Sequence, residues 1–309
     1  MVTVSYPLER SRIPDLPAQI REQIHARKVE AIEQKGVHET YVVDDGMNVF
    51  FFKDYTIAKK PAHMLAEWIA HTRAGRTAPL HYREPLGGFR ADPGERSQRE
   101  ARTLRQWSAI GIDAPRVIAY DGTGLILERI PGRTLAEHLV EGSLEQRHID
   151  RYYEHIHTGR EAALTIEDPS YLHNDPTLAN AIATREHVYL FDPGIITKPL
   201  DVRDLDAAIS VYHLAGLEAL AEETMAMMPQ PQQDRTLIDE QLDALAHGYL
   251  SGTGPRARQQ MLEVARPVPS SLINAMTRVP HGAFRGYARW LSYFNEEKME
   301  RIVERIKNT

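Results

Sequence analysis

The pattern of hydrophobic and polar positions divides the chain into a first part rich in strand formers and a second part with mostly helical spacing. Residues 39–43 and 49–53 predict a β-hairpin, because valine, tyrosine and phenylalanine are frequent in both and the turn formers of residues 44–46 separate them. Lys53 then lies at the end of the second predicted strand. Two further strands are predicted over residues 112–120 and 124–128.

Helical spacing also occurs within this first part of the chain. A charged helix is predicted over 18–35, where isoleucines form one thin apolar stripe before Gly36. In a later predicted helix, Glu100, Leu104 and Trp107 share one face. The two predicted helices between the hairpin and the next strand span residues 62–73 and 94–109.

The order of these elements indicates an α+β fold with two lobes. We expect an N-terminal helical extension over 1–38, a small strand-rich lobe over 39–128 and a larger helical lobe over 129–309. From Thr134 onward the pattern is helical except for one short hairpin, which contains the chemistry described next.

The segment from Leu172 to Asn180, Leu-His-Asn-Asp-Pro-Thr-Leu-Ala-Asn, carries residue types that phosphoryl transfer needs. That reaction uses a carboxylate to orient and deprotonate the acceptor hydroxyl, and further oxygen ligands to hold Mg²⁺ against the nucleotide phosphates. Asp175 is the candidate base, and Asn180 and Asp192 are the candidate metal ligands.

A hairpin pattern separates Asn180 from the Asp192-Pro193-Gly194 turn. Residues 181–183 and 188–191 are strand-like, and the polar residues 184–187 lie between them. Folding the hairpin brings Asn180 and Asp192 together at its open end. The sequence therefore predicts a shared magnesium site there.

A lysine and a glutamate in the first lobe are candidates for nucleotide binding. A strand lysine can reach the α- and β-phosphates of ATP, and a glutamate on the next helix can hold that lysine in place. Lys53 and Glu100 occupy these positions, with Lys59 and Lys60 as rivals to Lys53.

Several stretches together resemble the protein-kinase-like superfamily, and they are most similar to its small atypical branches: the kinase of the KEOPS complex, the RIO kinases and the lipopolysaccharide-core sugar kinases. The resemblance covers roughly residues 40–215. The matching stretches are 99–104 leading to 111–115, 127–135, 173–180 and 192–194.

This resemblance implies further roles for single residues. Glu128 and Ile130 would present backbone groups to adenine in the hinge, with Leu127 behind the base. His173 would brace the catalytic loop, and Asp204 would match the buried aspartate that also braces it. Asp204 is equally well explained as a helix-start carboxylate favoured by the helix dipole.

The chain also departs from the kinase pattern. No Gly-x-Gly-x-x-Gly loop precedes Lys53, so Gly46 is the one glycine of that hairpin expected near the phosphates. Pro193 stands where many kinases have phenylalanine, and Asn174 stands where regulated protein kinases have arginine. The reduced loop favours a pseudokinase that binds nucleotide or acts as a scaffold, whereas the set of Asp175, Asn180 and Asp192 favours an enzyme.

Composition limits the possible functions. The 309 residues are 42% hydrophobic and 26% charged, which is typical of a globular enzyme, and the net charge of −6 argues against nucleic-acid binding. The absence of cysteine excludes disulfides and thiolate catalysis. No apolar run is long enough to span a membrane, and we expect a cytoplasmic protein, with peripheral membrane contact possible through the aromatic run 284–294.

The sequence thus predicts an ATP- and Mg²⁺-dependent phosphotransferase. The resemblance leaves two acceptor classes open, a serine or threonine of a protein and a sugar or lipid-linked sugar.

Overall fold

An antiparallel sheet and a set of helices form the two parts of the molecule, which confirms the two-lobed α+β architecture expected from the sequence. The computed structural model describes residues 28–32, 39–44, 49–55, 93–120, 124–194, 201–227, 235–266 and 296–309. Gly46 and the predicted helix 62–73 lie outside these ranges.

The larger sheet is entirely antiparallel, with the strand order β1-β2-β3-β5-β4. The predicted hairpin 39–53 and the strand 124–128 are confirmed, and the strand predicted over 112–120 is shorter. The strands are β1 Lys28–Ile32, β2 Glu39–Asp44, β3 Val49–Asp54, β4 Val117–Tyr120 and β5 Gly124–Glu128.

The helix predicted over 18–35 is wrong over its C-terminal part, because residues 28–32 form β1. Lys28 pairs with Asp44 and Ile32 pairs with Thr40, so that β2 satisfies the backbone groups of β1. The segment Lys-Val-Glu-Ala also alternates polar and apolar residues, which is the strand period. The hydrogen bonds of this strand pairing outweigh the helical signal given by the isoleucine spacing. The rest of the predicted extension lies outside the described residues.

Successive side chains of β3 point to opposite faces of the sheet, and this alternation determines which of them face the helices. Phe52 points to one face of the sheet, where it stacks on Tyr41 with ring centroids 6.1 Å apart and packs with Ile126. Lys53 and Tyr55 point to the other face, since successive side chains of a strand alternate. Both are buried, and Tyr55 belongs to the main hydrophobic core.

The helix α1, Pro93–Ala109, covers this second face of the sheet and confirms the helix predicted over 94–109. Ala101, Leu104 and Trp107 are buried at helical spacing and join the main core. Glu100 lies on the same face and is buried with them. The packing of α1 therefore carries a carboxylate into the space beside Lys53.

The second part of the chain consists of helices and a small antiparallel sheet. The hairpin predicted over 181–191 is confirmed, and its strands pair next to Arg133–Thr134. None of the helices that the structure describes is both long and apolar enough to cross a membrane. The elements are β6 Arg133–Thr134, α2 Leu135–Val140, α3 Gln146–Ile166, β7 Ala181–Ala183, β8 Val188–Leu190, α4 Val202–Met227, α5 Arg235–Ser251, α6 Pro255–Ala265 and α7 Glu296–Asn308.

A buried ion pair joins α3 to α4. Arg160 donates from Nε and Nη2 to the two oxygens of Asp206, at 2.7 and 2.9 Å, and from Nη1 to Thr253 Oγ1 at 2.8 Å. Such two-point contacts fix orientation as well as distance. This ion pair fixes the orientation of α3 relative to α4.

Two histidines lie in the same helical packing, among the rings of Tyr153 and Tyr249. Burial lowers the pKa of His213 to about 3 and that of His157 to about 4. Both are therefore neutral in the folded protein at neutral pH. In the unfolded chain they take up protons near their ordinary pKa of about 6.5.

This difference predicts that the protein loses stability in mild acid. A histidine whose folded pKa is lowered contributes stability above its unfolded pKa, and the contribution disappears as the pH falls from about 6.5 toward the folded value. For His213 the loss between pH 7 and 5 is about 2 kcal/mol. Urea unfolding at the two pH values measures it. The difference in the free energy of unfolding between the two pH values should be smaller in His213→Gln than in the wild type. It should be unchanged in the control His247→Gln, which alters an exposed histidine. Equal differences in all three proteins would contradict the role given to His213.

Candidate active site

Lys53 and Glu100 form a buried ion pair between the sheet and α1. Lys53 Nζ lies 2.8 Å from Glu100 Oε1, and both side chains are almost fully shielded, with 7% and 1% of their surface exposed. The Tyr55 hydroxyl donates to the other oxygen, Oε2, of Glu100. Glu100 is thus held by two residues that lie on the same face at the end of β3.

The electrostatics of this pair keep the lysine charged. Burial lowers the pKa of Lys53, but the nearby carboxylates of Asp192 and Glu100 outweigh burial and raise it above its usual value. Burial and Glu100 raise the pKa of Tyr55 well above its usual value, so the hydroxyl remains a donor. A charged ammonium in this position is suited to binding phosphate oxygens.

Asp192 brings the predicted metal turn to the same lysine. Its Oδ1 atom lies 3.2 Å from Lys53 Nζ, and its side chain is only partly exposed. Asp192 has a φ of 52°, in the left-handed region that residues other than glycine rarely adopt. Such backbone strain persists where surrounding structure enforces it, and it is concentrated at functional sites.

The turn packs directly on the catalytic loop. The Asn174 amide donates to Pro193 O at 2.8 Å. Gly194 has a φ of 69°, and a Cβ atom added there would lie 2.9 Å from Asn174 Cβ. A larger residue at position 194 would therefore push the turn away from the loop.

Asp175 and Asn180, the candidate base and metal ligand, are in direct contact. Asn180 Nδ2 donates to Asp175 Oδ2 and to the Asp175 backbone carbonyl, both at 2.9 Å. The hairpin closes as predicted, since the Phe191 amide donates to Asn180 O at 3.1 Å. This contact brings Asn180 next to the residue that precedes Asp192. The structure thus links two contacting pairs, Lys53 with Asp192 and Asp175 with Asn180, through the backbone bond between Phe191 and Asn180.

The donor set suits a magnesium ion that is shared with a nucleotide. With Nδ2 of Asn180 engaged by Asp175, the amide oxygen is the atom with which Asn180 would bind a cation, and Asp192 would add a carboxylate oxygen. Within the described ranges no group of three or more His, Cys, Asp or Glu side chains is arranged to hold a metal ion. Mg²⁺ commonly binds through one or two protein oxygens together with substrate phosphates and water, so the two residues fit that mode.

His173 links the catalytic loop to α1. Its ring lies 5.1 Å from the Trp107 ring, centroid to centroid, and its Nδ1 accepts from the Asp175 amide at 3.3 Å. Trp107 Nε1 also donates to Tyr171 O at 3.0 Å. The helix that carries Glu100 is therefore attached to the loop that carries Asp175, and the bracing role of His173 stays a prediction.

The hinge residues lie where β5 leaves the larger sheet. The Glu128 amide donates to Arg116 O at 2.9 Å, and Glu128 pairs with Phe50 of β3. Leu127 and Ile130 are buried. The adenine role of Glu128 and Ile130 stays a prediction.

The predicted bracing role of Asp204 also stays a prediction. Asp204 lies in the first turn of α4, where its backbone amide donates to Asp201 Oδ1 at 3.2 Å. The aspartate of α4 that is deeply buried is Asp206, which pairs with Arg160.

Two tyrosines belong to the site but were missed in the sequence. Tyr55 binds Glu100, and the Tyr212 hydroxyl donates to Asp175 Oδ1 at 3.3 Å. The alternation of β3 could have revealed Tyr55, because it is two residues beyond Lys53 and so points the same way. Tyr212 is 37 residues from Asp175, and no local signal connects them.

Comparison with known proteins finds two solved structures of low similarity. Neither a family model nor a curated protein matches the chain. Two structures of the PknI kinase domain of Mycobacterium tuberculosis, one of them a cysteine-to-alanine mutant, overlap with it at TM-scores of 0.37 and 0.38 and 13% identity. The overlaps cover 91% and 72% of this chain and 96% of each kinase domain. Scores this low carry no argument about this chain, whose two-lobed α+β fold is described from its own strands and helices.

The buried ion pair predicts a strong effect of removing the lysine. Lys53→Met leaves the Glu100 carboxylate buried without its cation, and losing one partner of a buried pair costs about 3–5 kcal/mol. Urea or thermal unfolding should show this loss, and Lys53→Met combined with Glu100→Leu should recover much of it. The control Lys307→Met breaks an exposed pair with Glu304 and should change stability by less than about 1 kcal/mol. A loss in Lys53→Met no larger than in the control would contradict the pairing.

Proposed function

We propose that the protein is an ATP- and Mg²⁺-dependent phosphotransferase that phosphorylates a hydroxyl group. The observation that carries the proposal is the position of Lys53 Nζ, 2.8 Å from Glu100 and 3.2 Å from Asp192, beside the linked pair of Asp175 and Asn180. A charged lysine between a helix glutamate and a metal-binding aspartate is the arrangement by which kinases hold nucleotide phosphates.

Each residue has one role in this proposal. Lys53 would bind the α- and β-phosphates, Glu100 would hold Lys53, and Asn180 and Asp192 would bind Mg²⁺, which neutralises charge on the phosphates. Asp175 would accept the proton of the acceptor hydroxyl while that oxygen bonds to the γ-phosphorus and ADP leaves. Because the transition state is loose, positioning and electrostatics provide most of the rate.

The acceptor is a hydroxyl of a protein or of a sugar, and the described residues support both classes equally. A panel of radiolabelled assays with a mixed Ser/Thr peptide library and with free sugars would separate them. A pseudokinase would bind nucleotide and transfer phosphate to neither acceptor nor water.

The first test of the proposal concerns nucleotide binding. Because Asn180 and Asp192 lie together beside Lys53, ATP should raise the melting temperature only when Mg²⁺ is present, through the linkage between binding and stability. Thermal shift with ATP, with and without Mg²⁺, measures this. Asp192→Asn should abolish the Mg²⁺ dependence, and the exposed Asp243→Asn serves as the matched control. A melting temperature indifferent to both additions would exclude the nucleotide site.

The second test separates an enzyme from a pseudokinase. Asp175→Asn keeps the size of the side chain but removes the carboxylate, so phosphoryl transfer or ATP hydrolysis should fall by a factor of about 10² to 10⁴. ATP affinity should barely change, because Asp175 contacts the acceptor and not the nucleotide. Equal turnover in the wild-type and variant proteins would remove Asp175 from the reaction. Magnesium-dependent binding without any turnover in the wild type would identify a pseudokinase.

A further inference from the structure

Tyr212 contacts the candidate catalytic carboxylate from the core of the helical part. It lies on α4, only 3% of its surface is exposed, and its ring belongs to the main hydrophobic core. Its hydroxyl lies 3.3 Å from Asp175 Oδ1. A packed aromatic ring has few available conformations, so this donor is held in place by the packing around it.

Both oxygens of the Asp175 carboxylate therefore have a donor. Tyr212 donates to Oδ1, and Asn180 Nδ2 donates to Oδ2 at 2.9 Å. Two donors on opposite oxygens fix the plane of the carboxylate, whose terminal torsion is otherwise broad. An ionised carboxylate accepts about four hydrogen bonds, so capacity remains for the proton of an acceptor hydroxyl.

The backbone beside Asp175 is held from the same two helices. Tyr152 on α3 donates to Pro176 O at 2.7 Å. His213, the neighbour of Tyr212 on α4, lies close to the Pro176 backbone. The distance between Tyr212 and Asp175 is thus fixed from both sides, by the helix and by the loop.

We infer that Tyr212 is a positioning residue for Asp175 and that its hydroxyl fixes the orientation of the carboxylate. The consequence for catalysis rests on the proposed phosphotransferase activity, but the hydrogen bond and the orientation of the carboxylate do not.

The test is Tyr212→Phe, which removes the hydroxyl and keeps the ring. Protein labelled with ¹³C at the aspartate side-chain carboxyl is compared by NMR at one neutral pH, and the Asp175 signal is identified by its loss in Asp175→Asn. In Tyr212→Phe the Asp175 signal should shift, because one of the two donors that fix the carboxylate is removed. The matched control is Tyr249→Phe, which removes another buried tyrosine hydroxyl that donates to Ser210 Oγ and should leave the Asp175 signal unchanged.

Turnover gives an independent readout. In Tyr212→Phe kcat should fall about three- to tenfold with little change in the KM for ATP, because the nucleotide ligands are untouched. An unchanged Asp175 carboxyl signal would overturn the inference whatever the activity. A shifted Asp175 signal in a protein whose wild type shows no turnover would instead overturn the proposed function and leave the hydrogen bond standing.

A measurement that leaves Tyr212 in place covers the case in which Tyr212→Phe does not fold. Tyrosine labelled with ¹³C at the ring carbon that bears the hydroxyl is incorporated at position 212 alone, and its signal is compared between the wild type and Asp175→Asn at one pH. The signal should shift in Asp175→Asn, because the hydroxyl loses its carboxylate acceptor. An identical signal in the two proteins would overturn the inference.

Discussion

The buried ion pair between Lys53 and Glu100 is the interaction on which the arrangement of the cleft depends. Two charges that are almost fully removed from water are stable only when each is well paired, and here the 2.8 Å contact is supported by Tyr55 on one side and Asp192 on the other. The pair joins a strand, a helix and a turn that are far apart in the sequence. If Lys53 moved, Glu100 and Asp192 would both lose the cation that lies between them.

A second set of contacts joins this pair to the catalytic loop. Trp107 extends from the same helix as Glu100 and packs on His173, whose ring accepts from the Asp175 amide. Below the loop, Tyr212 and Asn180 hold the Asp175 carboxylate. Catalysis by positioning requires such rigidity, because reacting atoms must be held within a few tenths of an ångström.

The helices α3 and α4 hold the loop that carries Asp175, and the histidines buried between them make the protein less stable in acid. The pair between Arg160 and Asp206 fixes α3 against α4, and His213 on α4 lies close to the loop at Pro176. Burying neutral histidines keeps the packing dense, but it makes the same contacts sensitive to protonation. The stability of the fold and the geometry of the loop are therefore linked through one helix.

The sequence by itself predicted the residues of the candidate site and determined most of the local elements that carry them. The spacing of Asp175, Asn180 and Asp192 around a hairpin, and the strand that ends at Lys53, follow from local periods and turn residues. Only the tertiary structure decided that residues 28–32 form a strand, because their partner β2 supplies the missing hydrogen bonds. It also decided that Tyr55 and Tyr212 reach the carboxylates, since contacts across 45 and 37 residues depend on how a sheet and a helix pack and leave no local pattern in the chain.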